Sequence, residues 1–262
     1  MAATAKLVVD DVAVSYATPN GIFEALAPID LSIQAGRFVS IIGPSGCGKS
    51  TLFNVIAGLM APTSGRVFID DDDATGTIGR VSYMLQKDLL LPWRTVLDNV
   101  VLGLEIRGVP VRDARARILP YLRRYGLAGF EYQYPNALSG GMRQRAALMR
   151  TLILDCDLVL LDEPFGALDA QTKLAMQEWL LTLWVDVGKT IVFVTHDIEE
   201  AIYLSDEIYV MGTRPGRITE HIDVSLPHPR SRKILTSSEF VAIKERCMAL
   251  ISAGGESTTL AA

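Results

Sequence analysis

The sequence has few of the residues that build metal centres and disulfides. Its 262 residues include three cysteines, Cys47, Cys156 and Cys247, and these show no C-x-x-C spacing. We therefore expect neither a disulfide framework nor a zinc site, and the count fits a reducing cytoplasm. The three histidines lie too far apart in sequence to indicate a metal site.

Long apolar segments and an excess of positive charge are also absent. No apolar run approaches the roughly 18 residues of a membrane-spanning helix, and the opening MAATAKLVVDD lacks the apolar core of a secretory signal. The formal net charge of −5 argues against a general nucleic-acid binder, so no nucleic-acid partner is expected. Hydrophobic residues nevertheless make up 49% of the chain, which we interpret as surface hidden against a protein partner. The length suits one sizeable α/β domain with a subdomain.

What the chain does contain is a glycine-rich loop between a predicted strand and a predicted helix. GPSGCGKST, Gly43 to Thr51, follows the apolar run Arg37–Ile42 and leads into the helical pattern Lys49–Gly58. The letters fit G-x-x-x-x-G-K-[ST] at every fixed position, in the strand–loop–helix context that this motif requires. A glycine turn that merely links strand to helix is the weaker interpretation. We therefore predict a nucleotide site formed by Gly43, Pro44, Ser45, Gly46, Cys47, Gly48, Lys49, Ser50 and Thr51.

The chemistry of a triphosphate explains these residue types. Backbone N–H groups exposed by glycines wrap the anionic oxygens, and the helix N-terminus adds about half a positive charge. Lys49 is expected to bridge the terminal phosphates, and the Ser50 hydroxyl is expected to ligate Mg2+. GTPases, kinases and many motors share such a loop, so it predicts nucleotide binding and leaves the reaction open.

The rest of the N-terminal third is predicted to be rich in strands. Lys6–Tyr16, Ala27–Ile33 and Gly65–Ile69 are the candidate strands. The last of them enters the acidic run Asp70–Asp73, which we interpret as a solvated hairpin tip rather than a metal site, because the sequence nearby offers it no pairing partner.

The middle of the chain is predicted to be helical, and strands return after it. Asp98–Leu154 has a helical pattern with breaks at the Gly-Val-Pro of 108–110 and near 126–135. Six arginines cluster there, and a solvated helix face is favoured over contact with an anionic membrane or a partner. The later predicted elements are strands Leu158–Asp162, Thr190–Thr195 and Glu207–Met211, a helix over Gln171–Val187, and a helix near Glu239–Ile251 followed by a loose tail.

Polar residues that follow the predicted strands favour hydrolysis over phosphoryl transfer to another substrate. Asp162 ends a buried strand and is expected to ligate Mg2+ directly or to lie just behind its ligands, while Glu163 would act as general base on the attacking water. His196 emerges after Val192–Thr195 and is predicted to be catalytic. Gln86 follows the strand-like Val81–Leu85, and its amide could bind Mg2+ and the water together. A kinase would need a site for a substrate hydroxyl that accepts the phosphoryl group, and no motif in the sequence indicates one.

The stretch LSGGMRQR supplies a second phosphate-binding helix end. Ser139 is a natural N-cap, and the helix dipole makes this serine and the following Gly140 and Gly141 favourable for a phosphate. Because the chain already has its Lys49 loop, these residues are predicted to serve a nucleotide held by another copy. Two copies arranged head to tail would then share two ATP molecules, and hydrolysis would release them.

Taken together, these motifs resemble the ATP-binding subunits of ABC transporters. GPSGCGKST matches the family's Walker A loop, LVLLDEP its Walker B strand, LSGGMRQR its signature and THD its switch histidine. The resemblance implies that Asp169, in FGALDA, belongs to the D-loop that contacts the opposite subunit, and that the Tyr16 ring packs on adenine. It implies an α/β P-loop NTPase core with an N-terminal antiparallel β-subdomain and an inserted α-helical signature subdomain. The expected limits are 1–228 for the ATPase domain, with the helical insertion at about 88–155, and 229–262 for a short helix and flexible tail.

Further stretches resemble the subfamily that imports nitrate, sulfonates, taurine and related small solutes. These stretches are LPWRTVLDNVVLGLEIRGV, EPFGALDA and SDEIYVMGTRPGRI. The resemblance implies a homodimer with two MgATP, peripheral to the cytoplasmic face of the inner membrane. It would dock on two integral-membrane permease subunits that work with an extracytoplasmic solute-binding protein. Met142 replaces a commoner glutamine and Cys156 a usual proline, and these departures leave the catalytic set intact.

Two other functions stay open at this point. One segment is also predicted to contact a partner. A soluble ABC ATPase that acts without a permease would carry the same motifs, and a small-molecule P-loop kinase is disfavoured by the Ser139 motif. The segment Gln86–Gly103, with Pro92 and Trp93 in its middle, is predicted to face the permease. That prediction takes the run LLLPW to be exposed.

Overall fold

The computed structural model describes residues 5–19, 21–213 and 215–255, and within them it contains ten strands and seven α-helices. The strands are β1 Ala5–Thr18, β2 Gly21–Gln34, β3 Phe38–Ile42, β4 Ser64–Ile69, β5 Asp72–Asp73, β6 Ser82–Met84, β7 Leu158–Asp162, β8 Thr190–Thr195, β9 Glu207–Gly212 and β10 Arg217–Asp223. The α-helices are α1 Lys49–Ile56, α2 Val96–Ile106, α3 Val111–Arg124, α4 Gly140–Leu152, α5 Ala170–Val187, α6 Ile198–Leu204 and α7 Ser238–Gly255.

The chain divides into two compact units. The first, unit 1, combines Met1–Val81 with Lys189–Ala262, and the second, unit 2, is Ser82–Gly188. The loop of the predicted nucleotide site therefore belongs to unit 1, and the predicted base and signature belong to unit 2. The limits 1–228, 88–155 and 229–262 stay predictions.

Unit 1 contains an antiparallel sheet of strand order β2-β1-β4-β5. Alternate residues of β1, including Leu7, Val9 and Val14, are buried, as expected where one sheet face packs on a core. Asp11 has a positive φ of 52° where the β1–β2 register shifts. Gly65 of β4 lies so close to the Asp11 carbonyl that a Cβ at this position would come within 2.2 Å of its oxygen. The predicted N-terminal antiparallel sheet is thus confirmed.

Unit 1 also contains parallel strands that carry the loop of the predicted nucleotide site. β3 pairs in parallel with β8 and with β9, and β10 pairs antiparallel to β9. Every residue of β3 and β8 is buried, because parallel strands are covered on both faces. The sequence pattern predicts no strand at β10. Its alternation of polar and apolar residues is that of an edge strand with one solvated face, and this signal is weak over seven residues.

The acidic run forms a hairpin turn, as predicted, but its carboxylates have partners. Asp70 and Asp71 have positive φ angles of 54° and 64°, and β5 then pairs with β4. Lys6 lies 2.8 Å from Asp70 and Arg80 lies 3.1 Å from Asp72. The expectation that nothing pairs with the run is therefore wrong, because Lys6 is distant in sequence and adjacent in the sheet. In the described part of the chain no group of three or more His, Cys, Asp or Glu side chains could hold a metal ion.

Unit 2 pairs two parallel strands, β6 and β7, and carries helices α2 to α5. The helical breaks fall where the sequence predicts them, after α2 and after α3. Three arginines of α3 form ion pairs at 2.7 Å: Arg115 with Asp98, Arg117 with Asp155 and Arg124 with Asp186. These three side chains are also about half exposed, which agrees with a solvated helix face held by carboxylates.

The C-terminal segment is anchored in unit 1 by a buried arginine. Arg230 donates to the carbonyls of Ile202 and Tyr203 at the end of α6, both at 3.1 Å. Burial lowers the pKa of its guanidinium to about 10, against the opposing charge of Asp206. The predicted C-terminal helix is present as α7, and the predicted tail beyond 255 lies outside the described residues. No helix in the described ranges is long and apolar enough to cross a membrane.

Candidate nucleotide site

The glycine-rich loop runs from the end of β3 to the start of α1 in unit 1. Gly46 and Gly48 have φ angles of 78° and 96°, in the left-handed region that glycine adopts at little steric cost. Gly48 precedes α1 directly, so the first N–H groups of the helix lie at the loop. A Cβ on Gly43 would come within 2.5 Å of the Met211 carbonyl oxygen. These positions are therefore restricted to glycine by backbone geometry and by packing.

Lys49 folds over the loop that precedes it. Its ammonium group donates to the carbonyl oxygens of Gly43 at 2.8 Å and Pro44 at 3.1 Å, and the residue is 6% exposed. Ser50, the next residue of α1, is exposed. A cation at the loop and an exposed hydroxyl in the first helical turn suit a phosphate chain and its Mg2+.

Two residues that support this loop, Gly216 and Leu26, were not predicted from the sequence. Cys47 is fully buried, and Gly216 lies so close to it that a Cβ there would be 2.1 Å from the Cys47 carbonyl oxygen. Gly216 also forms an isolated β-bridge with Leu26 of β2, and the Leu26 side chain lies against Gly48. The only sequence signal was a glycine after β9, and nothing local connects it with the loop.

The other predicted residues of unit 1 lie on exposed surface. Tyr16 of β1 is 39% exposed, pairs across the sheet with Phe23, and donates from its hydroxyl to the Met60 sulfur at 3.3 Å. His196 follows β8 and is exposed.

The backbone around His196 is held by its neighbours. The Thr195 hydroxyl donates to the Glu200 carboxylate and accepts from the Asp197 N–H, and Asp197 caps α6. Glu200 and Thr195 were not predicted as site residues, since their contribution depends on this local network. This hydrogen-bond network fixes the direction in which the chain leaves β8.

In unit 2 the structure brings three of the predicted residues to the ends of two paired strands. Asp162 ends β7, is 6% exposed, and accepts from the Tyr83 hydroxyl of β6 at 3.4 Å. Burial, and then the charge and hydrogen bond of Asp162, raise the pKa of Tyr83 above its usual range, so this phenol stays a donor. Gln86 donates from its amide Nε2 to the Glu163 Oε2 at 3.2 Å. Tyr83 was not predicted as a site residue.

Glu163 has an unusual backbone conformation. Its φ is 43°, a left-handed value that costs a non-glycine residue on the order of 1–3 kcal/mol and that recurs at functional sites. The following turn is closed by the Gly166 N–H, which donates to the Glu163 carbonyl at 3.2 Å. The side chain of Glu163 therefore leaves the strand end in a direction set by this turn.

The predicted signature residues lie at the start of α4. The Ser139 hydroxyl accepts from the Met142 N–H and caps the helix, as predicted. A Cβ on Gly141 would lie 2.9 Å from the Thr172 methyl, whereas the nearest atom to a Cβ on Gly140 would be 3.8 Å away. Ser139 and Gly141 line a surface pocket of about 350 Å³ shared with the first turns of α5.

Asp169, the predicted D-loop residue, caps α5 beside this pocket. Its carboxylate accepts from the N–H groups of Gln171 and Thr172 at 3.1 and 3.0 Å. Hydrogen bonds from Thr172, first from its side chain and then from its backbone, lower the pKa of Asp169.

The segment after Gln86 is held by hydrogen bonds to Asn99, and it is only partly exposed. Trp93 is 71% exposed, but Leu90 is only 8% exposed, so the expectation that the whole LLLPW run is exposed is wrong. Asn99, fully buried in α2, accepts from the Leu91 N–H at 2.7 Å and donates back to the Leu91 carbonyl at 3.1 Å. These two hydrogen bonds fix the turn of the segment, so that the Leu90 side chain is buried and the Trp93 ring is exposed to solvent.

An aromatic segment, Phe130 to Tyr134, lies beside this one and was not predicted as a site. The N–H groups of Val96 and Leu97 donate to the carbonyls of Gln133 and Glu131 at 2.8 and 2.9 Å. The aromatic side chains of this segment are exposed, by 37% at Phe130, 67% at Tyr132 and 49% at Tyr134. Alternation of three aromatics over five residues was the signal available in the sequence.

Comparison with known proteins gives one family. Residues 26–166 match the ABC transporter family. The chain is 44% identical over 226 residues to the taurine import ATP-binding protein TauB of Yersinia pestis, which covers 84% of this chain and 89% of TauB. It is 40% identical over 247 residues to the aliphatic sulfonates import ATP-binding protein SsuB of Bacillus cereus, covering 94% and 96%. The dimeric post-hydrolysis structure of the ATP-binding cassette MJ0796, bound to ADP and Pi, matches with a TM-score of 0.72 and 33% identity over 84% of this chain and 100% of that one.

Proposed function

This chain is an ATPase of the ABC transporter family, as its motifs predicted, and we propose that it is the ATP-hydrolysing subunit of an importer. The solute is a small molecule of the nitrate, sulfonate or taurine type. Support comes from the names of TauB and SsuB, which are import proteins for taurine and for aliphatic sulfonates. The fold class of a P-loop ATPase cassette is shown by the likeness to the MJ0796 structure.

ATP is held by unit 1 in this proposal. The backbone N–H groups of the loop Gly43 to Thr51, except at Pro44, which has none, surround the phosphates. Lys49 neutralises the terminal phosphates, and the Tyr16 ring packs on adenine. The positive φ angles of Gly46 and Gly48 support this role, because they direct backbone N–H groups into the loop. Ser50, Gln86 and Asp162 would hold Mg2+, which would supply positive charge next to the phosphates.

Hydrolysis depends on Glu163, and the observation that carries this is its contact with Gln86. A carboxylate and an amide 3.2 Å apart, just beyond two paired strand ends, can together orient a water and accept its proton. His196 is proposed to contact the reacting phosphate.

A second copy completes each site. Ser139, Gly140 and Gly141 would bind the γ-phosphate of the ATP held by the partner, and Asp169 would contact that partner near the same boundary. The dimeric state of MJ0796 supports this arrangement, as does the capped helix start at Ser139. Two ATP molecules would then draw the copies together.

The dimer would work at the cytoplasmic face of the inner membrane, on two permease subunits supplied by an extracytoplasmic binding protein. We assign permease contact to the segment Gln86–Gly103, with Pro92 and Trp93 at its centre. The exposed Trp93 ring and the neighbouring Tyr132 and Tyr134 support a contact surface, because large exposed aromatics are enriched at interfaces.

The experiment is reconstitution with a candidate permease of the taurine or sulfonate import type. ATP hydrolysis in liposomes should rise when the solute-loaded binding protein is added on the outer side. A chain that stays in the soluble fraction when coexpressed with that permease would favour the alternative, a soluble ABC ATPase that acts without one.

A further inference from the structure

A buried glutamine on α4 contacts the segment that carries Glu163. Gln144 is 8% exposed, and its amide Nε2 donates to the carbonyl oxygen of Pro164, the residue after Glu163. Pro164 is itself buried. A buried carbonyl needs a hydrogen-bond partner, and removing the donor leaves its desolvation uncompensated. Gln144 therefore stabilises the backbone at this position.

The backbone segment that Gln144 holds includes the strained residue Glu163. Glu163 has a left-handed φ of 43° and is followed directly by Pro164. Strained residues persist when the surrounding contacts over-determine them. Here the contacts are the Gly166 N–H on the Glu163 carbonyl and the Gln144 amide on the Pro164 carbonyl.

The same helix also holds the chain beside Gln86. Arg150, less than two turns beyond Gln144 on the same helix, donates to the carbonyl oxygens of Asp88 and, at 2.8 Å, Leu89. Leu89 has a positive φ of 44°, so this segment too has a backbone that requires support. Thus α4 contacts the backbone on both sides of the Gln86–Glu163 pair.

We propose that Gln144, aided by Arg150, is a positioning residue that sets the Gln86–Glu163 geometry from the helix capped by Ser139. The proposal rests on the role of Glu163 as base. One helix then presents Ser139 to the partner's ATP and holds the base for the ATP of its own chain. Its chemical contribution is indirect, since the Gln144 amide donates to a backbone carbonyl of the Glu163 turn.

The test is a double-mutant cycle with single-turnover hydrolysis of radiolabelled ATP by the full-length protein. Gln144→Met removes the donor with little change of volume, and Gln144→Glu is nearly isosteric but has no donor when ionised. Each should lower the hydrolysis rate by roughly tenfold or more, because small misplacements of a catalytic group have large effects. The Kd for ATP should stay within about twofold, since the loop that binds it belongs to unit 1.

The decisive readout is the combination with Glu163→Gln. If Gln144 acts through Glu163, Gln144→Met should cause no further loss in the Glu163→Gln background. Gln177→Met is the matched control, since Gln177 is a buried glutamine of α5, and any effect it has should be the same in both backgrounds. An unchanged rate in Gln144→Met, or an equal fold loss in both backgrounds, overturns the proposal. A Glu163→Gln protein that hydrolyses ATP normally overturns the base assignment itself, and this is visible in the single variant.

Discussion

The Ser139 hydroxyl accepts a hydrogen bond from the backbone N–H of Met142 at 3.3 Å, which caps α4. The same hydroxyl is proposed to reach the γ-phosphate held by a second copy. A single side chain therefore has a local role in stability and an intersubunit role in hydrolysis. Two substitutions at this position can separate the two roles.

Ser139→Ala removes the cap and the phosphate contact, whereas Ser139→Asp keeps a capping oxygen and places a negative charge towards the phosphate. We expect both variants to lose ATP hydrolysis by about 10²-fold, as when one transition-state donor is removed. Only the alanine variant should lose stability, by about 1 kcal/mol. Steady-state ATPase assays and urea unfolding measure the two effects.

A serine at another helix start supplies the control. The Ser237 hydroxyl accepts from the Phe240 N–H at 3.2 Å at the start of α7, the same spacing as at Ser139. Ser237→Ala should lose similar stability and keep full hydrolysis. A Ser139→Asp protein with full activity would contradict the intersubunit role.

Glu163→Gln tests the proposed base. The amide keeps the shape of the side chain but cannot take a proton from water, so hydrolysis should slow by about 10²–10⁴-fold while ATP binding is kept. ATP would then accumulate in the closed dimer, detectable as a doubled mass in light scattering with MgATP. Glu245→Gln, at an exposed position of α7, makes the same charge change and should behave as the unaltered protein. Rapid phosphate release by Glu163→Gln would place the base elsewhere.

Lys49→Met tests the phosphate loop. The ammonium of Lys49 lies over the Gly43 and Pro44 carbonyls, and its charge is proposed to meet the terminal phosphates. Its loss should weaken ATP binding by at least tenfold, as expected for a charge-assisted contact of about 1.5–3 kcal/mol. Lys233→Met, at an exposed position, is the control for lost charge. Calorimetric titration with MgATP measures both, and an unchanged Kd in Lys49→Met would refute the assignment.

The sequence predicted those parts of the fold and candidate site that depend on local patterns. The loop of Gly43 to Thr51 and the Ser139 cap are each specified within a few residues, and both occur in the structure as expected. What the sequence could not reveal depends on distant contacts. Asp70 meets Lys6 across a sheet, and Gln144 meets Pro164 between a helix and a turn. Neither pair has a spacing that a local pattern can detect.

Leu90 shows the same limit within a single run of apolar letters. LLLPW reads as one exposed patch, but the hydrogen bonds of buried Asn99 to Leu91 fix how this segment turns. Because of these hydrogen bonds, neighbouring side chains differ in exposure: Leu89 is 50% exposed and Leu90 is 8% exposed. A charged residue at Leu90 would therefore damage the fold of unit 2 and cannot report on the permease.

Trp93→Glu tests the permease surface without this complication. The ring is 71% exposed, so its replacement should change the free energy of unfolding by less than about 0.5 kcal/mol. Copurification with the coexpressed permease should fall by at least tenfold, because exposed tryptophans at interfaces are frequent hot spots. Ile106→Glu is the matched control: Ile106 is 77% exposed, also in unit 2, and lies outside Gln86–Gly103.

Leu90→Asp should instead unfold the protein, since truncating a buried leucine already costs about 2–5 kcal/mol. If Trp93→Glu and Ile106→Glu copurify equally well with the permease, the contact lies on another face. If only Trp93→Glu is released while its ATP affinity is unchanged, this segment joins the ATPase to the membrane subunits.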